Sequence, residues 1–279
     1  IKRAGVGTLD YLVITHYHDD HVGGMEQLAS RVKFRTVITH GPTTETSRAA
    51  TIATATFQNA MAASGAKEIV VRPGDTIPLK GIDVKVLASN RQLIGTPLPG
   101  AGLANPLCEG AVQRRADTSD NSASVGMLLT FGAFRFLDLG DLTQDLEHQM
   151  ACPVNRIGEV DLYLTTHHGS GQSNAAVLVH ALKSRVAIMN NGARKGGDLP
   201  VLHTVRSAPG LEDLWMLHYS VAAGAEGNVA EPFIANTGDV PDPAVPDQGF
   251  GVSVTAQADG SFTVINERNK HTRTYPARR

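Results

Sequence analysis

Three short apolar runs in this chain each end in a cluster of metal-ligating side chains, and this repetition constrains the fold more than any other feature. Leu9-Asp10-Tyr11-Leu12-Val13-Ile14-Thr15 leads directly into His16-Tyr17-His18-Asp19-Asp20-His21-Val22-Gly23-Gly24. Phe136-Leu137-Asp138-Leu139 ends in Gly140-Asp141, and Leu162-Tyr163-Leu164-Thr165 ends in Thr166-His167-His168-Gly169-Ser170. Continuous apolar runs of strand length read as strands buried on both faces of a layered α/β protein. Gly-Asp alone is a common turn, and a His pair alone is a plain loop. The same arrangement three times is more than coincidence supplies. Imidazole and carboxylate together suit zinc, iron or manganese. His16 and His18 alternate and can point to one side, whereas the adjacent Asp20 and His21 need a sharp turn to converge. That layout fits two neighbouring ions better than one. Gly23-Gly24 permits a close backbone approach before a helix over 25–30, whose N-terminus favours an anion.

The remaining chain reads as strands with interleaved helices, an α/β sandwich in one domain over residues 1–279. Ile1–Gly7 reads as the end of a helix with a glycine stop, so the chain begins mid-element. Arg35–Thr39 is a short strand, and Pro42 suits a first helical turn. Ala49, Ile52, Phe57 and Ala60 recur at helical spacing up to Gly65, a C-cap. Glu68–Arg72, Thr76–Leu79 and Ile82–Leu87 read as strands, and 90–120 as a long functional or mobile loop. A hairpin is expected over Ser124–Asp138. Thr143 is expected to cap a helix to Met150, and Asn174 to cap Ala175–Leu182. Val160–Thr165 and Val186–Asn190 are buried strands. Pro209-Gly210-Leu211 is expected to start a helix through Leu217, 221–248 to be loop, and 251–265 to form a terminal hairpin around Asp259-Gly260.

Composition removes several function classes. Hydrophobic residues make up 42% of the chain, enough for a core. With 25 basic against 27 acidic residues the formal net charge is −2, which excludes a general polyanion-coating protein and argues against tight nucleic-acid binding. No run of apolar residues reaches membrane-spanning length. Two cysteines are too few for a disulfide scaffold. Gly169-Ser170-Gly171 is not a serine-nucleophile elbow, so a serine hydrolase is discarded.

The matched set His16, His18, Asp20, His21 and Asp141 resembles the metallo-β-lactamase-fold hydrolase superfamily. Asp120-Asn121-Ser122-Ala123-Ser124, Phe134-Arg135-Phe136-Leu137 before Gly140-Asp141, and His167-His168-Gly169-Ser170 make it similar to one branch. That branch contains the C-terminal domain of the DNA-uptake protein ComEC/Rec2 and the phosphorylcholine esterases. Cys152-Pro153-Val154-Asn155, the run Asn190–Gly197, Leu211-Glu212-Asp213-Leu214-Trp215 and Asp259–Val264 are similar to secreted bacterial members of it.

The resemblance implies an αββα sandwich with metals at one edge between two sheets, its first strands and any signal peptide preceding Ile1. It implies one or two zinc ions, with manganese or iron as alternatives. His16, His18 and Asp141 would hold one ion, with water or Asn121 nearby. Asp20, His21, Asp141 and one of His167 or His168 would hold the other; His168 is preferred as ligand, with His167 facing substrate. Many members carry a further histidine shortly before the bridging aspartate, but here none lies between His40 and Asp141. In the implied hydrolysis Asp20 positions the attacking water and moves a proton, and His167 stabilises charge or protonates the leaving group. The leading substrate is a phosphodiester or phosphoester; β-lactam or lactone hydrolysis is the alternative, and a non-catalytic metal-bearing module the third reading. Lys195 and Arg194 either hold an anionic substrate or form a solvated pair. Asp198 reads as a surface acid and His218 as a packing residue on the expected short helix. His40, His148, His180, His203 and His271 read as structural or surface residues. Arg268, Lys270, Arg273, Arg278 and Arg279 read as a solvated basic end. If the protein is secreted or periplasmic, Cys108 and Cys152 can pair; otherwise they are two thiols.

Overall fold

The apolar runs alternate sides within a four-layer assembly. The structure, a computed structural model, describes residues 5–238 and 249–278. The expected helix end over Ile1–Ala4, residues 239–248 of the expected loop, and Arg279 lie outside those residues. A parallel sheet is built from β1 (Thr8–Val13), β2 (Lys33–Thr39) and β3 (Lys67–Val70) in that order. A second sheet contains β4 (Thr76–Leu79), β5 (Ile82–Ser89), β6 (Gln92–Leu93), β7 (Gly126–Phe131), β8 (Phe134–Asp138), β9 (Leu162–Leu164), β10 (Val186–Met189), β11 (Asp213–His218) and β12 (Ile234–Asn236). Its path is β12-β11-β10-β9-β8-β7-β5-β4; β8 to β12 run parallel, and β7, β5 and β4 are antiparallel to their neighbours. A third, antiparallel sheet comprises β13 (Val252–Ala256), β14 (Phe262–Asn266) and β15 (Thr272–Tyr275).

Period-two alternation in the large sheet explains the layers. On β10, Val186 and Ile188 join Trp215, Phe262, Val264 and Tyr275 beneath the third sheet. Ala187 and Met189 face the other way. There they meet Leu146 and Met150 of α4 (Gln144–Ala151), Leu178 and Leu182 of α5 (Ala176–Leu182), and Leu202 and Val205 of α6 (Leu199–Arg206). On β2, Ile38 packs against Val84, Val86 and Met127 of the large sheet. Val37 instead meets Phe57 and Ala60 of α3 (Arg48–Ser64), alongside Val22 of α1 (Asp19–Val22) and Met25 of α2 (Met25–Ala29). The order of layers is helix, sheet, sheet, helix, as expected.

Several local readings are corrected. The expected helix over 209–217 is β11: Leu214, Trp215 and Met216 are buried on alternating faces of a parallel sheet, and a short apolar run cannot show whether its period is helical. The helix of that region lies earlier, at α6, with Pro200 in its first turn. Pro42 lies in a loop, and α3 begins at Arg48 because the Ser47 hydroxyl accepts from Ala50 N. β1 is only half-buried and pairs with β2 alone among the described residues. The expected loop over 221–248 contains α7 (Gly224–Gly227) and β12, and the terminal hairpin gains a third strand, β15. The basic end is not free: Arg278 donates to Asp161 Oδ1 at 3.0 Å and Val160 O at 2.7 Å. Arg268 donates to Ala235 O at 3.1 Å.

Cys108 and Cys152 are joined in a disulfide. The bond moors the long loop to the end of α4, where Asn105 Nδ2 also donates to Val177 O at 2.8 Å. It closes a chain separation of 44 residues, for which the unfolded-chain entropy model gives about 4 kcal/mol. The Cys108→Ser/Cys152→Ser double variant is therefore expected to lose several kcal/mol in denaturant unfolding. Intact-mass measurement of the unreduced protein should show both thiol hydrogens missing.

Candidate metal centre

The C-terminal ends of β1, β8 and β9 meet at one edge because the backbone ties each run to the next. Val125 N, just before β7, donates to Thr15 O at 2.9 Å, pinning the chain as it leaves β1. His21 N and Val22 N both donate to His18 O, at 2.9 and 3.0 Å, closing the turn that Asp20 and His21 need. After β8, Gly140 has φ +57, and a Cβ there would sit 2.9 Å from the Thr15 Cβ, so only glycine lets the two runs approach. His167 N then donates to Gly140 O at 2.9 Å, locking the third run to the second. His167 and His168 both lie in the left-handed region, at φ 53 and 58, a conformation costing about 1–3 kcal/mol per non-glycine residue. Asn174 sustains it by donating to Thr166 O at 2.8 Å and Ser170 O at 3.1 Å. Asn174 is thus a brace for the histidine turn rather than the expected helix cap. Ala175 N is instead satisfied by Glu147 Oε2 at 2.7 Å.

Asp141 sits at the middle, 2% exposed. Its Oδ2 lies 3.4 Å from His21 Nε2 and 3.5 Å from both His167 Nε2 and His168 Nε2. His16 Nε2 is 3.8 Å away. Asp20 Oδ2 lies 3.0 Å from His168 Nε2 and 3.2 Å from His21 Nε2, and it also pairs with Lys195 Nζ. Asp20, His21, Asp141 and His168 each offer one ligand atom, all within 4.8 Å of one another. His16 lies outside this set, against Asp141 and with its ring centroid 4.0 Å from that of His21, and His18 turns its Nε2 to Glu45 Oε2 at 3.0 Å.

The other nitrogen of four of these rings is occupied by protein. Thr15 Oγ1 is 3.2 Å from Nδ1 of both His16 and His21. His168 Nδ1 meets Asn190 O at 3.1 Å, and His167 Nδ1 meets Ser173 Oγ at 3.2 Å. Such outer contacts fix imidazole tautomer and orientation. The inward nitrogens His16 Nε2 and His21 Nε2 are buried without a hydrogen-bond partner. Buried polar atoms are seldom left so, and a nitrogen and oxygen donor set of this kind fits a borderline divalent metal.

Electrostatics follow from the packing. Burial, with His21 alongside, lowers the His16 pKa to about 3, so the ring is neutral at pH 7. Burial by itself raises the Asp141 carboxyl, but His168 and His21 hold it far below the usual carboxylate range. Burial likewise opposes ionisation of Asp20, and His168, His21 and Lys195 outweigh it. His168 moves against its own burial, up to about 9, because both carboxylates face it. Burial lowers His167.

Every ligand-type residue named from the sequence falls at this edge. Asp198 lies outside the cluster and accepts from Gly171 N at 2.8 Å. His218 ends β11 and exchanges backbone hydrogen bonds with Asn191. His40 is buried against Asp120, at 3.3 Å. Sequence reasoning missed Thr15, Glu45, Asp120 and Ser173 as partners of the ligand-type residues. Ordinary polar types at no fixed spacing carry no signal of that role, and only Asp120, at the head of Asp-Asn-Ser-Ala-Ser, stood within a named motif.

A family model described as the metallo-beta-lactamase superfamily matches residues 1–110. No curated protein sequence matches the chain. Among solved structures it is similar to CmlA, a diiron beta-hydroxylase from Streptomyces venezuelae, at 17% identity and TM-score 0.39, covering 74% of this chain and 39% of that one. It is also similar to the metallo-beta-lactamase fold protein YhfI from Bacillus subtilis, at 12% identity and TM-score 0.43, covering 75% and 74%. A diphosphatase from the PhnP family shares 12% identity at TM-score 0.33, covering 67% and 61%. The chain thus spans well under half the length of CmlA. At these identities and scores the likenesses bear on neither substrate nor metal.

Two substitutions probe the support of the histidine turn. A Cβ at Gly196 would lie 2.0 Å from His168 O, at φ +66. Gly196→Ala should therefore displace His168 and lower both the unfolding midpoint and metal uptake, read by calorimetry and elemental analysis. Glu147 is wholly buried, and that burial raises its carboxyl from 4.5 to about 7. The folded state thus keeps a proton that the unfolded state releases above pH 4.5. Stability from this group is greatest below pH 4.5 and falls as pH rises to about 7, by about 3 kcal/mol. Glu147→Gln removes the ionisation, so its melting temperature relative to wild type should rise between pH 5 and pH 8. A difference that stays constant with pH would refute this account.

Proposed function

We propose, from the premise that residues 1–110 carry the metallo-beta-lactamase superfamily pattern, that the chain is a metal-dependent hydrolase of phosphodiesters or phosphoesters. The observation that carries this reading is the pair of buried, unpartnered ring nitrogens, His16 Nε2 and His21 Nε2, beside the Asp141 carboxylate. His16, His18 and Asp141 would hold one ion, and Asp20, His21, Asp141 and His168 would hold a second. Zinc is the first choice, with manganese and iron as alternatives. Ions bound there supply Lewis acidity and water of lowered pKa.

The chain's own groups handle charge and protons. Asp20, the more exposed carboxylate of the cluster, accepts a proton from the attacking water. Lys195, half-exposed and paired with Asp20, binds an anionic oxygen of the substrate, which favours a phosphoester over a neutral lactone or β-lactam. The Ser173 hydroxyl donates to His167 Nδ1, which leaves Nε2–H to donate to the leaving-group oxygen. We further propose an oxidising compartment, secreted or periplasmic, which the Cys108–Cys152 disulfide supports.

A panel of phosphodiesters, phosphomonoesters, lactones and β-lactams, read alongside elemental analysis, tests the reading. Phosphoester turnover is expected to be inhibited by inorganic phosphate and to fall at least about 100-fold in Asp141→Ala and His18→Ala, the order lost when a single charge-stabilising group is removed from a catalytic site. Turnover of lactones or β-lactams without any phosphoester would overturn the substrate class. Bound metal with no turnover at all would favour the non-catalytic module.

A further inference from the structure

Within the His-x-His-x-Asp-His run, His16 and His21 face Asp141, whereas His18 faces a different carboxylate, that of Glu45. Its Nε2 lies 3.0 Å from Glu45 Oε2, both side chains about one-quarter exposed. Glu45 stands in the loop between β2 and α3, 27 residues further along the chain. Its carboxylate is itself held by two further donors. Oε2 also accepts from Asp120 N at 3.0 Å, and Oε1 accepts from the Ser47 hydroxyl at 3.2 Å. Glu45 N donates to Thr43 Oγ1 at 3.1 Å, and the Thr43 hydroxyl donates to Asp120 Oδ1. Asp120 Oδ2 accepts from Tyr17 N at 2.7 Å, and Tyr17 is the residue between His16 and His18. Asp120 therefore fixes the backbone of the motif, while Glu45 grips one of its rings.

We propose that Glu45 is a positioning residue for His18: its carboxylate takes the Nε2–H, fixing tautomer and ring orientation and leaving Nδ1 as the nitrogen that faces an ion. The inference rests on the metallo-hydrolase reading above. A neutral imidazole has one N–H and one lone pair, so a carboxylate at Nε2 places the lone pair at Nδ1. The anion also makes the ring a better electron donor, and loss of such partners typically weakens metal affinity 10–100-fold. The arrangement explains why His18 stands apart from the tight group of Asp20, His21, Asp141 and His168. Its Nε2 is committed elsewhere. The remaining ring nitrogen would serve the ion on the His16 side.

The test titrates zinc into the full chain against a chromophoric chelator, for wild type, Glu45→Ala and Glu45→Gln. Absorption spectra of the cobalt-loaded proteins and unfolding midpoints of the metal-free proteins accompany it. Glu45→Ala should weaken one ion 10–100-fold, leave the other unchanged, and alter the cobalt spectrum. Glu45→Gln should lose less, because its amide oxygen still accepts from Nε2–H and Asp120 N; it also carries the comparison if the alanine variant does not fold. Unchanged affinity and spectrum in both variants would overturn the role of Glu45 while leaving the hydrolase reading intact. Equal weakening of both ions with a lowered midpoint would show a merely structural role and overturn it too. A wild type that takes up no zinc or cobalt would overturn the hydrolase reading, and this inference with it.

Discussion

Burial of the Asp141 carboxylate is the constraint on which the rest of the edge depends. An ionised carboxylate out of water is tolerated only when cations or hydrogen-bond donors surround it. Here the counterparts are imidazoles from two other strand ends, brought within 3.4 to 3.8 Å. Three chain segments far apart in sequence must therefore end together, and the glycine at Gly140 is what lets them do so. The two sheets meet there because the first strand belongs to one and the other two belong to its partner.

Around this carboxylate the protein spends ordinary polar groups on orientation. One threonine hydroxyl, Thr15, stands beside both His16 and His21. A backbone carbonyl holds His168 and a serine holds His167. The histidine turn is kept in a costly left-handed conformation by Asn174, whose Oδ1 in turn accepts from the buried Tyr163 hydroxyl at 3.0 Å. Rigidity at the edge is thus built from contacts that reach back into the sheet and α4.

At the opposite end of the parallel strands the chain is tied down as firmly. Arg185, 8% exposed, donates to Glu212 at 2.6 Å and to Pro276 O at 2.5 Å, with its guanidinium over the Phe262 ring. Trp215 Nε1 donates to Tyr275 Oη, which donates to Asp213. Together these contacts hold the third sheet against the large one.

The ligand-type residues and the layered α/β class were legible in the chain because both are written locally. A period of two, a strand-length apolar run and a histidine-rich turn need no distant partner to be recognised. The remaining C-terminal strand and the place of α6 were not legible, since a short apolar segment such as Leu214–Met216 shows its face only once neighbours lie on both sides. The orienting contacts were hidden for the same reason: Glu45 is an unremarkable acid, and the Asp120 motif names no partner, until the fold brings them to His18 and Tyr17 across 27 and 103 residues. The sequence by itself determined that imidazole and carboxylate side chains cluster where three strands end. Only the tertiary structure decided which nitrogen of each ring is free, because that depends on partners supplied by long-range packing.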